Sequence, residues 1–149
     1  PGDDQEHERA APDPHYGAGK LLIVQRADSV RQGRHQVPSV PNIARHKQEH
    51  GHEDVAIVRL EQLYPLPAEQ LNEVFKRYKN AKDVLWVQEE PANMGAWQYI
   101  NSMRFNPAVS FPDDLNFVAR KTRASPATGF KKIHDKEQQS LISRAFGEE

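Results

Sequence analysis

The chain has 149 residues and a formal net charge of −1, so it fits one domain and has no global field to attract nucleic acid or an anionic membrane. It contains no cysteine, which excludes disulfides, thiolate metal sites and a cysteine nucleophile. The longest apolar runs, Leu21 to Val24 and Val55 to Val58, fall far short of the roughly 20 residues that span a membrane.

The amino-terminal segment predicts no packed structure. Its first 16 residues hold five acids and three prolines, so they cannot bury enough apolar surface to offset the entropy of ordering. We interpret residues 1–19 as a disordered tail or linker. With neither an initiating Met nor a secretory leader, we expect the chain to begin inside a longer protein.

Residues 20–53 are predicted to be an irregular segment with one strand. The run from Leu21 to Val24 is typical of a short buried strand. The following residues, up to His52, show neither helical nor alternating periodicity, and Pro38 and Pro41 remove backbone donors. We therefore predict a loop there.

Residues 54–149 are predicted to form a folded α/β domain. Val55 to Val58 is a β-branched apolar run typical of a strand buried on both faces. An amphipathic helix follows from Pro67 to about Asn80, with apolar positions at spacings of three and four.

Two further strands and two further helices complete the predicted order. Residues 83–88 (DVLWVQ) and 115–120 (LNFVAR) are predicted strands, with a short helix between them after the turn at Asn93 and Gly95. A last helix is predicted from Asp135 to Phe146. The alternation predicts a layered, mostly parallel sheet with right-handed crossovers.

Glu89, Glu90 and Pro91 directly follow the second of these strands, at the edge where open α/β folds place ligand crevices. Adjacent carboxylates can serve as acid and base if their pKa values separate. Neighbours on a strand point to opposite faces, however. We therefore favour structural or interface hydrogen bonding over catalysis for this pair.

The next residues combine a turn, a close-approach glycine and a large aromatic side chain. Asn93, Gly95 and Trp97 fit either a helix start with a core tryptophan or a contact with another domain or subunit. The second interpretation makes residues 89, 90, 91, 93, 95 and 97 candidates for an interface.

His46, His50 and His52 lie within seven residues, and histidines four apart share a helix face. Yet no fourth ligand is evident and Gly51 disfavours a helix there. We therefore favour incidental loop histidines and expect no metal site.

Basic residues surround the loop before the last predicted helix. His134, Arg120 and Arg123 are candidates for contact with an anion, because arginine pairs bidentately with carboxylate or phosphate. A helix-start role for His134 and a solvated basic face for the arginines are the favoured alternatives. No phosphate loop, nucleophile elbow or acidic metal cluster is present, so the residues alone indicate no more than a soluble α/β domain.

From residue 54 onward the sequence resembles the C-terminal domain of the thiamine-diphosphate-dependent component of 2-oxoglutarate dehydrogenase. Four stretches carry the resemblance in the family's order: DVAIVRLEQLYPLP (54–67), VQEEPANMGAW (87–97), RASPATGF (123–130) and HDKEQQSLI (134–142). The combination of QEEP with NMGAW is the most specific part. The related 2-oxoadipate dehydrogenase is the main alternative.

The resemblance implies a transketolase C-terminal-like domain with three layers, in a homodimeric enzyme of the tricarboxylic acid cycle. Such enzymes use thiamine diphosphate and magnesium to decarboxylate 2-oxoglutarate, and they pass the succinyl group to lipoamide on the dihydrolipoamide succinyltransferase component. The cofactor-binding motif lies upstream in the family, so we expect this chain to bind neither cofactor and to be inactive alone.

Further expectations concern partners, location and regulation. The implied partners are the rest of the polypeptide, a second subunit and the succinyltransferase, in the bacterial cytoplasm or the mitochondrial matrix. Actinobacterial relatives carry a regulatory acetyl-coenzyme A site in this domain, which makes Gln62 a candidate nucleotide contact. Glu69 and Gln70 stand where basic residues would hold phosphates, so we do not expect that regulation.

Before residue 54 the sequence departs from the family, which has a Ser-Gly-Lys-Val turn and a helix after its first strand. We expect both to be missing, and a displaced reading frame around Val30 to Gly33 is one hypothesis for the departure. A chain without that helix would expose apolar surface. The alternative function is a stand-alone interaction or regulatory module derived from this domain.

Overall fold

Four parallel strands form the centre of the chain, in a computed structural model that describes residues 19–25, 39–125 and 129–148. The strands are β1 (Lys20–Gln25), β2 (Val55–Leu60), β3 (Asp83–Pro91) and β4 (Asn116–Arg120), in the order β2-β1-β3-β4. Every neighbouring pair is parallel, with Leu22 opposite Ile57 on one side and Leu85 on the other. The predicted mostly parallel sheet is confirmed.

Helices cover both faces of this sheet. The helices are α1 (Ser39–His50), α2 (Ala68–Arg77), α3 (Trp97–Ser102) and α4 (Lys131–Phe146), and a 3-10 turn at Met103–Phe105 extends α3. Helices α2 and α3 contribute to one buried cluster, whereas α1 and α4 contribute to the other. The three-layer α/β fold is therefore confirmed.

The alternation of side chains along β1 assigns residues to these two layers. Leu21 and Ile23 pack with Trp86 and the helices α2 and α3, whereas Leu22 and Val24 pack toward α1 and α4. These four side chains of β1 are each at most 1% exposed, as expected for a strand with covered faces and strands on both sides. The strand predicted at Leu21 to Val24 thus lies in the middle of the sheet.

The predicted loop after β1 is wrong over residues 39–50, which form α1. Pro41 lies in the first turn, where a backbone N–H has no acceptor within the helix. Among the described side chains of α1, those of Ile43 and His46 are buried. A histidine therefore occupies a position at which a helical hydrophobic pattern would require an apolar residue. Gly51, at φ +68°, ends the helix instead of preventing it.

The expected loss of the first crossover helix is therefore also wrong, since α1 connects β1 to β2 and packs on both. The turn and the proposed frame displacement around Val30 to Gly33 lie outside the described residues, as does the predicted tail up to residue 18. The division of the chain at residues 20 and 54 stays a prediction. Among the described helices, none is long and apolar enough to cross a membrane.

Candidate functional site

The carboxyl edge of the sheet contains a topological switch between β1 and β3. From β1 the chain continues to β2, which lies on one side of the switch, and from β3 it continues to β4, which lies on the other side. The two connecting helices cover opposite faces of the sheet. Open α/β sheets bind ligands at the carboxyl ends of strands at such a switch. The end of β3, from Gln88 to Pro91, lies there.

Gln88 organises this edge from inside the core. Its side chain is 1% exposed, and its Oε1 accepts hydrogen bonds from the indole of Trp86 and the backbone N–H of Trp97, each at 2.9 Å. Its Nε2 donates to the carbonyl of Met94 at 2.7 Å and to that of Pro91 at 3.3 Å. One amide thus holds the turn that connects β3 to α3.

The turn itself requires glycine at position 95. Gly95 has φ +70°, and a Cβ there would lie 2.8 Å from Nε2 of Gln88 and 3.0 Å from Cβ of Glu90. Trp97 begins α3 and is 8% exposed, with its ring stacked on Phe117 at 4.3 Å. The helix start with a core tryptophan, one of the two interpretations of this motif, is what the structure shows.

Asn93 connects this turn to the loop after β4. Its side chain donates to the carbonyl of Arg123 at 3.0 Å and accepts from the Arg123 N–H at 3.2 Å. The N–H of Ala92 donates to the carbonyl of Arg120 at 2.9 Å. The amide of Asn93 therefore orders two neighbouring loops at the carboxyl edge.

Glu89, Glu90 and Pro91 lie where the sequence placed them, at the end of β3. Both carboxylate residues are half-buried and Pro91 is buried. Consecutive strand residues face opposite sides of a sheet, and Glu90 is on the side of Gln88 and Gly95. The interface role of these residues and of Asn93, Gly95 and Trp97 stays a prediction.

A basic groove lies beyond the end of β4. It has a volume of about 640 Å³ and is bordered by α4 from Lys132 to Arg144. Its charged and polar lining residues are Arg120, Lys121, Lys132, Lys136, Glu137, Ser140 and Arg144. Five cationic side chains face a single carboxylate, so the groove favours an anion.

Arg120 is the buried member of this groove, at 5% exposed. Its Nη2 donates to Oε1 of Gln138 at 2.9 Å, but its Nε has no partner among the described residues. Glu137 accepts from Arg123 through Oε1, whereas its buried Oε2 meets no donor in the part of the chain that the structure describes. Buried polar groups of this kind cost free energy unless a ligand or water meets them.

The remaining candidates for anion contact lie apart from the groove lining. His134 lies in the first turn of α4 and is half-buried. Gln62 lies beyond β2, where its Nε2 donates to the carbonyl of Pro65 at 2.6 Å. Since β1 and β3 separate β2 from β4, these two strands are about 14 Å apart at ordinary strand spacing, and Gln62 lies beside β2 whereas the groove lies beside β4.

At the opposite, amino-terminal edge, His46 and His52 meet Glu148. Hydrogen bonds from His46 and then from His52 hold the pKa of Glu148 below its ordinary value. His50 stacks on His46 with ring centroids 3.9 Å apart.

Sequence reasoning missed two of these residues. Glu148 was missed because it is 96 residues from His52. Gln88 was missed because one polar residue interrupts an apolar strand without any periodic signal.

The described residues do not fit thiamine diphosphate and its magnesium ion. Mg²⁺ prefers oxygen ligands together with phosphate oxygens, whereas the described groups close enough to hold a metal are two histidines and one glutamate. The basic groove offers charge but no group of carboxylates for a divalent cation. No step of thiamine chemistry is therefore assigned to these residues.

Comparison with known proteins agrees with this architecture. Residues 41–146 match the family described as 2-oxoglutarate dehydrogenase C-terminal. The chain is 38% identical over 114 residues to the 2-oxoglutarate dehydrogenase E1 component of Bacillus cereus (strain AH820), a match that covers 76% of this chain and 12% of that protein. The E1 component of Geobacillus sp. (strain WCH70) is 46% identical over 92 residues, covering 60% of this chain and 9% of the relative.

A third relative, the E1 component of Bacillus anthracis (strain A0248), is 37% identical over 128 residues, which are 86% of this chain and 12% of that protein. The chain thus spans about an eighth of the length of the relatives that it matches. The family match covers well over half of the chain, from α1 to the end of α4. The chain belongs to the 2-oxoglutarate dehydrogenase C-terminal family.

Proposed function

We propose that the chain is the C-terminal part of a 2-oxoglutarate dehydrogenase E1 component, and that it supports the active site without supplying catalytic groups. The whole enzyme decarboxylates 2-oxoglutarate with thiamine diphosphate and magnesium, which are bound elsewhere in the polypeptide. The succinyl group then passes to lipoamide on the succinyltransferase component. The family match and the names of the relatives support this proposal.

The observation that carries the supporting role is the internal use of the QEEP and NMGAW polar groups. Gln88 makes four side-chain hydrogen bonds, all with β3 and the turn that follows it. The side-chain amide of Asn93 both donates to and accepts from the backbone of Arg123. Groups committed in this way fix the shape of a surface, whereas catalytic groups must be able to exchange partners with a substrate.

Exposed aromatic side chains support packing against the rest of a larger enzyme. Phe105 is 89% exposed, Tyr64 is 85% exposed and Phe130 is 72% exposed. Large aromatic groups contribute strongly to interfaces when they are covered. We propose that the remainder of the polypeptide and a second subunit cover them, in the cytoplasm of a bacterium or the mitochondrial matrix of a eukaryote.

We also propose that the basic groove binds an anionic regulator. The buried Arg120, whose Nε has no partner within the described ranges, is the specific observation that favours this second role. Arg123 supports it by holding Glu137 at the border of the groove. Gln62 and His134 are candidates for contact only with a ligand that extends beyond the groove.

The supporting role is tested on the parent polypeptide. We expect the full-length enzyme to decarboxylate 2-oxoglutarate, and we expect neither the 149-residue chain nor a parent that lacks residues 54–149 to do so. Sedimentation of the same three proteins reports the dimer. Decarboxylation by the isolated chain, or full activity of the shortened parent, would contradict the proposal.

Two alternatives give different results in the same assay. A parent that turns over 2-oxoadipate in preference to 2-oxoglutarate would identify the chain as part of the related dehydrogenase. A native start codon directly before residue 1, with no upstream thiamine-binding sequence, would favour a stand-alone interaction or regulatory module. In that case we expect sharp near-ultraviolet circular dichroism from Trp86 and Trp97 in the isolated chain.

A further inference from the structure

Three side chains from distant parts of the chain meet at the amino-terminal edge of the sheet. Nε2 of His46 lies 2.9 Å and 3.1 Å from the two carboxylate oxygens of Glu148. Nε2 of His52 lies 2.7 Å from Oε1 of the same carboxylate. One ligand atom from each residue lies within 4.8 Å of the others, so all three can reach one ion.

The backbone holds two of these residues in equivalent positions. Gly51 ends α1 at φ +68°, and the N–H of His52 donates to the carbonyl of Lys47 at 3.1 Å. Gly147 ends α4 at φ +76°, and the N–H of Glu148 donates to the carbonyl of Ser143 at 2.9 Å. Each residue thus follows a left-handed glycine in a Schellman-type helix end, which fixes where its side chain leaves the backbone.

The three side chains pack against an apolar residue on one side and are open to solvent on the other. Phe146 packs against the rings of His46 and His52, with centroids 4.8 Å and 4.6 Å apart. The side chain of His46 is 8% exposed, whereas those of His52 and Glu148 are 24% and 29% exposed. An apolar shell on one side strengthens metal–ligand interactions, while the open side admits an ion and a water molecule.

The donor set selects the class of ion. Two imidazole nitrogens and one carboxylate suit Zn²⁺ and neighbouring divalent transition metals, whereas Mg²⁺ and Ca²⁺ take oxygen ligands. Bonds of 2.0–2.2 Å in a tetrahedral site separate ligand atoms by about 3.3 Å. The observed contacts of 2.7 and 2.9 Å between nitrogen and Oε1 must therefore open by only about half an ångström.

We propose that His46, His52 and Glu148 bind a divalent transition-metal ion, Zn²⁺ in the first instance, through Nε2, Nε2 and the carboxylate. The fourth position is open to water. Each ring coordinates through Nε2 in its neutral form with its proton on Nδ1, so a proton on Nε2 moves to Nδ1 or, where Nδ1 already carries one, leaves to solvent. The ion joins the end of α4 to the turn before β2, which stabilises the folded state by mass action.

The test is isothermal titration of the metal-stripped 149-residue chain with ZnCl₂, together with its thermal midpoint. We expect one saturable site per chain, a midpoint that rises with Zn²⁺ and falls again with EDTA, and no response to MgCl₂. Titration with Co²⁺ should give the visible absorption of a four-coordinate ion. His52→Ala and Glu148→Gln remove exposed ligands and should each weaken Zn²⁺ binding by tenfold or more, whereas His46→Ala is avoided because His46 is buried.

Matched controls remove neighbouring groups of the same chemistry. Glu53→Gln removes an adjacent exposed carboxylate, and His50→Ala removes the histidine that contacts His46 but not Glu148. Both should bind Zn²⁺ within about twofold of the unaltered chain. Absence of saturable binding, or equal affinity in the chain and its Glu148→Gln variant, would overturn the proposal and leave the carboxylate as a simple bridge between two imidazoles.

Discussion

Gln88 accepts the indole N–H of Trp86 from two residues earlier on the same face of β3, at 2.9 Å. The same oxygen accepts the backbone N–H of Trp97. A single buried amide therefore satisfies two donors that no water can reach. This contact connects the centre of the sheet to the turn that gives the family its most specific motif.

Replacing Gln88 by Met keeps the volume of the side chain but leaves both donors unpaired. Each buried donor without a partner costs about 1–3 kcal/mol, so we expect the free energy of unfolding to fall by at least about 2 kcal/mol. Urea unfolding at 25 °C measures it. Gln98→Met, at an exposed position of α3, is the control and should change stability little, and equal effects of the two substitutions would contradict the assigned role.

Gly95→Ala tests the close approach of the turn to Gln88. The substitution adds both the cost of a left-handed backbone and a contact of 2.8 Å with Nε2 of Gln88. Gly51→Ala has almost the same φ but meets nothing within 4 Å, so it should cost only the conformational part, about 1 kcal/mol. We expect Gly95→Ala to lose clearly more stability than Gly51→Ala in urea unfolding with EDTA present, and equal losses would show that the turn has room for a methyl group.

The elements from β2 to α4 could be predicted because their patterns are periodic and strong. The helix predicted from Pro67 to Asn80 is observed as Ala68–Arg77. The strand predicted to end at Gln88 continues to Pro91, because Pro91 pairs with Arg120 of β4 after an irregularity in the register that follows Val87. The last helix begins at Lys131, four residues before the predicted start, because its first turn is basic and its one apolar residue, Ile133, is exposed and adds no buried periodicity.

The helix α1, the carboxylate partner of the histidines and the full extent of the basic groove could not be predicted for physical reasons. The buried face of α1 uses His46 in place of an apolar residue, so its periodicity is invisible to a hydrophobic pattern. The histidine cluster depends on Glu148, which only the tertiary fold brings to α1. The basic groove forms only when α4 packs on β4, because this packing brings lysines and arginines that are scattered in the sequence to one surface.

The basic groove predicts a salt-dependent affinity for polyanions. Lys132 and Lys136 line it from α4, so replacing both with Gln should weaken binding of inorganic pyrophosphate by roughly fivefold, since two close cations contribute on the order of 1 kcal/mol in water-exposed sites. Isothermal titration at two ionic strengths measures this. Lys79→Gln, an exposed lysine after α2, is the control, and an unchanged affinity of the double variant would place the anion elsewhere.

The lowered pKa of Glu148 predicts that the free energy of unfolding depends on pH in metal-free buffer. The groups that face its carboxylate are His46 and His52, and their hydrogen bonds, that from His46 first, hold its pKa below the ordinary value of 4.5. A carboxyl whose pKa is lower in the folded than in the unfolded state stabilises the fold when it is ionised. That contribution is fully present above about pH 4.5 and is lost as the pH falls through the lowered value.

We therefore expect the unaltered chain to be more stable than its Glu148→Gln variant at about pH 5, and we expect this difference to shrink as the pH falls through the lowered pKa of Glu148. Urea unfolding with EDTA at a series of pH values measures the difference, and Glu53→Gln shows what loss of a neighbouring exposed charge contributes. A difference that persists unchanged to the lowest pH would mean that the ionised carboxylate is not the stabilising group. The opposite sign at pH 5 would mean that the contacts with the two histidines cost more than they contribute, and α4 would then be held to α1 by apolar packing, to which Ile43 and Phe146 contribute.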